Sequence, residues 1–523
     1  MTKLADVNTT SIREAVALGC RTMSDIFNAD DNDIPFFGSL VRPDDAEFGF
    51  HPIHSEAHIP GRHLNALLNA EAELKISVDN GVVEKHQKAA FFSYSGPVPV
   101  PLNRDKIGGK LVNFAPHNIR EGFHALYALV AYRGSARAHD LAEASIAAIF
   151  DLWKPETGWD RARLENTYGL KIIDFDSPFI GGIARAIGPL VKYHRVTGSA
   201  PALDLALLLK DTALKGYFSP SGDCDLGRLG THTHSITCTL SSLALLADLT
   251  RDASLMTIVK AFYDNGLRQI SNELGWSVEN AHPNANLDRG EGNNTGDILE
   301  TALLLGRWGY TEYFGDAERI LRGHLLPSQL RDISFIHNAP NPEKRDSKRE
   351  VARRHRGAFG FPAPYGHYPL GMDTISFNLD IVGGVVGSLC EAHRAVARSD
   401  GHEHRINLLF DHESDDLTVR SPYPGGTMHI QVKRPAPVLI RIPSWVPVSS
   451  VKLTGATALP RLCNGYLYVA APPKTAFTLS FPLPRQELLL RYRTRRIRCL
   501  LEGDQVLQME NFGTDRTYFD ALA

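Results

Sequence analysis

The sequence predicts an α/α toroid, an (α/α)6 barrel, followed by a C-terminal antiparallel β-sandwich. Three observations carry this reading. Apolar residues recur at helical spacing from about residue 56 to about residue 400, a helix–turn–helix unit repeats within that stretch, and beyond about residue 404 the pattern becomes alternation. The chain of 523 residues is also too long for one ordinary core. The expected division is a barrel over 1–403 and a sandwich over 404–523, with the N-terminal residues free to add to the sandwich.

In the first part, His63-Leu64-Asn65-Ala66-Leu67-Leu68-Asn69-Ala70 opens an Ala/Glu/Leu stretch of good helix formers. The repeat then reads AYRGSARAHDLAEASIAAI, YHRVTGSAPALDLALLLKDTAL and LADLTRDASLMTIVKAFYDNGL, with a looser copy in RWGYTEYFGDAERILRGHLL. The turns near Gly134, Gly198, Asp252 and Tyr310 recur at roughly 55 to 65 residues, so each unit is an αα-hairpin with a long return. Such hairpins bury their apolar faces by closing into a ring of inner and outer helices. In the second part, INLLFDHESDDLTVRSPYPGGTMHIQVKRPAPVLIRIPSW, YLYVAAPPKTAFTLSFPL and ELLLRYRTRRIRCLL alternate apolar and polar residues between turn signals, as antiparallel strands do. The charge-dense PNPEKRDSKREVARRHRG, from Pro340 to Gly357, is expected as a solvated loop.

Composition narrows the class. Hydrophobic residues at 43%, charged residues at 22% and a net charge of -3 are those of a soluble globular protein without the basic face a nucleic-acid partner needs. The start, MTKLADVNTTSIREAVALG, has no signal-peptide core, and no apolar run reaches the roughly 18 residues of a membrane span. Cys20, Cys224, Cys238, Cys390, Cys463 and Cys499 show no CxxC spacing, so free thiols in a reducing, cytoplasmic setting are expected.

Several segments resemble glycoside hydrolase family 127, the β-L-arabinofuranosidase superfamily. EAHIPGRHL (56–64) looks like that family's early helix. HNIREGFH (117–124) is similar to its His-Glu…Gly-His helix, and Thr233-His234-Ser235 to its Gly-His turn. Leu439-Ile440-Arg441-Ile442-Pro443-Ser444-Trp445 is very close to its Leu-Arg-Ile-Pro-Ser-Trp strand, with Asn464-Gly465-Tyr466-Leu467 following. The resemblance implies a glycosidase with a carbohydrate substrate and an exo mode of attack on a terminal sugar. It also implies a zinc held by one Glu and three Cys, one of them the nucleophile. Here the matching stretches read Asn294-Thr295-Gly296 and Asp380-Ile381, so that ligand set cannot be assembled, and neither metal nor cofactor is expected.

Glycosidic cleavage then falls to carboxyl groups, one giving a proton to the leaving oxygen and one acting on the opposite face. Glu279 stands roughly where the family has its acid, with Trp276 beside it to stack on a sugar; a loop glutamate beside a packed tryptophan is the plainer alternative. Asp380 occupies the nucleophile's zone and can replace a thiolate, or can cap the helix that follows. Asp297 is a third catalytic candidate or a helix-dipole partner, and it shares a helical face with Glu300. Glu291, Glu300 and Asp176 are candidate sugar contacts. His58, His117 and His234 suit hydroxyl binding, because a neutral imidazole offers one donor and one acceptor. His54 and His58 have metal-pair spacing, but Pro60 argues against continuous helix there. A uronate lyase, with Arg62, Arg120 and Asn118 as neutralising groups, and a non-catalytic sugar-binding relative remain as alternatives. A homodimer through an exposed sandwich edge also stays open.

Overall fold

The computed structural model describes residues 2–8, 11–41, 46–285, 288–470, 476–492 and 495–522. Six helices form its centre: α1 (Ile59–Leu74), α2 (Ile119–Arg133), α3 (Ile187–Thr197), α4 (Thr233–Thr250), α5 (Gly292–Arg307) and α6 (Asp380–Val396). Each packs on the next and α6 packs back on α1, so they close a ring. A second set flanks the ring: Ile12–Asp25, Asn80–Ser93, Ala136–Leu152, Ala200–Gly216, Ala253–Ala261 and Tyr313–Ile320.

Local chemistry makes the hairpins. Gly134 and Gly198 end α2 and α3 in the left-handed conformation, and Arg251 ends α4 the same way. The next residue in each case, Ser135, Ser199 or Asp252, caps the outer helix by accepting a backbone N–H from the third residue on. One chain reversal is thus written in two adjacent residues.

Two five-stranded sheets follow. One contains Val438–Arg441 and Tyr466–Ala470, the other Leu417–Arg420, Thr427–Val432 and Ala476–Ser480. Their inward residues, among them Ile406, Val419, Ile430, Ile440, Val469 and Phe477, form one apolar core separate from that of the helices. The four-stranded sheet over 485–521 does not share it. Leu490, Ile497, Cys499, Val506 and Met509 are continuous with the helical core instead, so the stretch expected as one sandwich over 404–523 divides between two cores. The N-terminal helix Ile12–Asp25 likewise packs on α6 rather than on the sheets.

The helices and the sheets meet around Glu318. Trp445 is only half-buried and donates its indole N–H to Asp504 (3.1 Å). The buried contact is ionic. Glu318 accepts from Arg322 (3.0 Å), from Arg441 (3.1 Å) and from the Leu409 N–H (2.8 Å), while Arg322 lies over the rings of Phe410 and Tyr423. The charge-dense segment is not a simple solvated loop either. Val351–His355 is helical, with Arg354 and His355 buried, and His355 stacks on Phe48 at 4.4 Å. It braces the hairpin of Gly38–Val41 and Ala46–Gly49, which walls the cavity described next.

Candidate functional site

All six ring helices direct their N-termini to one end, where a cavity of about 1050 Å³ opens. Its wall is aromatic and imidazole-rich, including Phe37, Phe175, Phe361, His51, His54 and His232. Its floor holds His58, His117, His234, Glu291 and Asp380, each at or just before the start of a ring helix. The ring therefore gathers residues more than 300 positions apart, as in His58 and Asp380.

The floor is built on a buried ionic network. Glu121, fully buried, lies against Arg185 (3.0 Å), Arg62 (3.2 Å) and Arg120 (3.2 Å). Burial alone would raise its carboxyl, but Arg185, His58, Arg62 and Arg120 hold it well below the usual range. Asn118 organises the histidines. Its amide N–H donates to the Ile53 carbonyl (2.6 Å), which leaves its oxygen to accept from His54 (3.0 Å) and His58 (2.9 Å). The other nitrogen of His58 faces Asp380 Oδ2 at 3.1 Å, so the ring bridges Asn118 and Asp380. His117 gives its Nδ1 proton to the Gly181 carbonyl (2.7 Å), which leaves Nε2 as an acceptor. Burial keeps His54, His117 and His234 neutral, well below the ordinary imidazole value, and lowers His232 to about 4.

Two carboxyls on this floor are driven apart. The amide of Asn293 donates to Glu291 Oε1 (3.1 Å) and lies 3.3 Å from Asp380 Oδ2, so one side chain bridges both. Burial pushes Glu291 up to about 8, and the charge of Asp380 adds to the shift. Burial also acts to raise Asp380, but His58 and Arg62 overcome it and hold the group down to about 2. Around neutrality Glu291 carries a proton and Asp380 does not.

The remaining candidates divide. Glu279 lines the cavity wall, 27% exposed, but it is paired with Arg289, whose guanidinium lies over the Phe361 ring. Trp276 is buried to 1% with its indole N–H on the Pro362 carbonyl (2.9 Å), so it offers no face to a ligand. Asp297 sits beneath the floor, accepting from Thr237 (3.1 Å) and facing Arg120 (3.4 Å), and burial raises it to about 6. Asp176 accepts from the N–H and hydroxyl of Thr231 and is a turn residue rather than a cavity residue. Glu300 points to the opposite end of the ring and accepts from Ser388 (2.7 Å). Sequence reasoning passed over Glu121, Arg185 and Asn293. Their one sequence signal is position, since each stands at the start of a ring helix.

A Cys₃Glu zinc set does not fit this floor, because the cavity lining contains no cysteine. Two other groupings have ligand atoms close together, His232/His234/Glu291 and His234/Cys238/Asp297. Both use His234, whose ring nitrogens face Arg62 (2.9 Å) and Arg185 (3.4 Å), so a cation there would meet two fixed positive charges.

No protein-family model and no curated protein matches the sequence. Solved structures do. A family 127 β-arabinofuranosidase is similar at 15% identity and TM-score 0.56, over 94% of this chain and 78% of that one. A family 127 β-L-arabinofuranosidase from Geobacillus stearothermophilus T6 is similar at 14% identity and TM-score 0.55, over 94% and 80%. A sugar epimerase from a ruminal bacterium is similar at 12% identity and TM-score 0.50, over 73% and 98%. The chain thus shares its fold with carbohydrate-active enzymes, and among the described residues no helix is long and apolar enough to cross a membrane.

Proposed function

We propose that this protein is a glycoside hydrolase that removes a terminal sugar, with Glu291 as proton donor and Asp380 as the opposing carboxylate. The carrying observation is the pair bridged by Asn293, one carboxyl buried and protonated, the other ionised beside His58. Two acidic groups pushed in opposite directions within one cavity are what acid-assisted glycosidic cleavage requires. Asp380 acts as nucleophile at the anomeric carbon, or as base toward a water. The neutral rings of His54 and His117 present acceptors to sugar hydroxyls. The dead-end pocket among helix N-termini favours attack at a chain end. The acid role expected of Glu279 is assigned here to Glu291, since Glu279 is held in an ion pair with Arg289 on the cavity wall while Glu291 is buried beside Asp380.

On this reading the ring of helices is an (α/α)6 toroid, residues 1–403 form the catalytic unit, and the paired five-stranded sheets are a β-sandwich appended to it. Free cysteines, five of them buried, suit a reducing compartment such as the cytoplasm. Fold likeness alone does not choose the chemistry, since hydrolases and an epimerase share this architecture. Incubation with a panel of aryl glycosides and oligosaccharides, with products separated and identified, makes the choice. A released reducing sugar supports hydrolysis. An unsaturated uronate would mean a lyase, an isomerised but uncleaved sugar an epimerase, and unchanged substrate a binding protein; any of the three overturns the proposal. Because the zinc ligand set does not fit, chelators are expected to leave the activity intact.

A further inference from the structure

The end of the ring opposite the sugar cavity holds a second pocket of about 330 Å³. Five of the six ring helices, α2 to α6, contribute to it near their C-termini. Five cations line it, Lys192, Arg195, Arg307, Arg394 and Arg398, against two carboxylates, Glu300 and Glu391. The carboxylates behind the wall do not close the balance. Arg195 and Arg307 share a single oxygen of Asp248, both at 2.9 Å. Arg394 takes Glu391 (2.6 Å) and Glu73 (3.0 Å). Lys192 and Arg398 have no carboxylate within ion-pair distance among the described residues. Burial lowers the Arg307 guanidinium, Asp248 and Glu391 act against that, and the neighbouring Arg398 and Arg195 add to the lowering.

Cations at helix C-termini often complement the helix dipole. Here, though, the hydrogen bonds of Arg195, Arg307 and Arg394 go to side-chain oxygens rather than to helix-end carbonyls. Arg195, Arg307 and Arg394 pair with the shared carboxylates, and all five cations line the pocket, with Arg195, Arg307 and Arg398 open to solvent. Tyr127 and Tyr132, whose hydroxyls hydrogen-bond each other, belong to the same lining. Planar guanidinium forks joined by one ammonium and phenolic donors, converging from several sides, suit a tetrahedral dianion.

We propose that this pocket is a second ligand site, for inorganic phosphate or the phosphate group of a small phosphorylated solute, on the far side of the ring from the sugar cavity. It does not depend on the hydrolase reading. Calorimetric titration of the full chain with inorganic phosphate, in buffer of physiological chloride concentration, tests it. The Lys192→Met/Arg398→Gln variant removes the two unpaired cations. Arg420→Gln/Lys433→Met removes two positive charges from the sheets and controls for net charge. One phosphate per chain is expected for the wild type and the control, with affinity at least about tenfold weaker in the pocket variant, and circular dichroism verifies that both variants are folded. No saturable heat in the wild type overturns the proposal. Equal weakening in both variants also overturns it, since the binding would then be diffuse electrostatics.

Discussion

The inner and outer helices begin differently. Five of the six outer helices, at Ser11, Asp79, Ser135, Ser199 and Asp252, have a side chain that accepts a first-turn N–H. The six ring helices have none; the residues at their starts are His58, Asn118, Ala186, His232, Glu291 and Leu379. A missing cap forgoes on the order of 1 kcal/mol per helix. It leaves positive helix ends aimed at the cavity, where they favour the ionised Asp380 and Glu121. The outer ring is built for stability, and the inner starts are given over to the site.

The contrast can be broken in order of effect. Asp380→Asn removes the ionised carboxylate while keeping its shape. Turnover is expected to fall by on the order of 10³-fold or more on every substrate, because no other carboxyl occupies that position. A variant with near-normal kcat would place the reacting carboxylate elsewhere.

Arg185→Met comes next. Arg185 donates to Glu121 (3.0 Å) and to the His117 carbonyl, and it is fully buried. Leaving Glu121 short of a partner is expected to cost about 3 kcal/mol in denaturant unfolding and to weaken sugar binding as His117 shifts. Loss of stability with unchanged binding would detach the network from the site.

The pH dependence has two arms of opposite sign. The histidines, lowered in the folded state, contribute stability that is present above the ordinary value of 6.5 and lost as pH falls toward about 4, where His63, His232 and His355 titrate. Glu291, raised from 4.5, contributes stability that declines as pH rises from 4.5 and is gone above about 8. The melting temperature should therefore drop steeply below pH 6.5, because many histidines outweigh one glutamate there. Glu291→Gln should flatten the decline on the alkaline side. A profile level from pH 6.5 to 4 would mean that these imidazoles are not buried neutral groups.

The smallest effect lies on the outer ring. Ser135→Ala and Ser199→Ala should each cost about 1 kcal/mol in unfolding free energy and leave kcat/KM unchanged. A change in turnover would show that the outer caps reach the floor.

The hairpins were legible because their signals are local: Gly134-Ser135 and Gly198-Ser199 stop one helix and start the next within two residues. Strand alternation was equally legible, but not which core a strand joins. Leu490 and Ile497 alternate as Ile430 does, yet they pack on the helices, a choice made by long-range contacts. The site was legible in its parts. His58, His117, His234, Glu291 and Asp380 all reach the floor and Glu279 lies on the wall of the same cavity, where we prefer Glu291 to Glu279 as the acid. What separates those two glutamates is that Asn293 links Glu291 to Asp380, 87 residues further along the chain, while Glu279 pairs with the nearby Arg289, and only the second partner lies within reach of a local pattern. Trp276 misled for the same reason, since its partner Pro362 lies 86 residues away.

The central claim is that Glu291 holds the transferable proton. Glu291→Gln preserves shape and removes that proton, so turnover on a glycoside with a poor leaving group should fall by on the order of 10²-fold or more. A glycoside whose leaving group needs no protonation should keep most of its rate, and the alkaline limb of kcat/KM near pH 8 should vanish. Equal losses on both glycosides, or an alkaline limb that persists in the variant, would contradict the assignment.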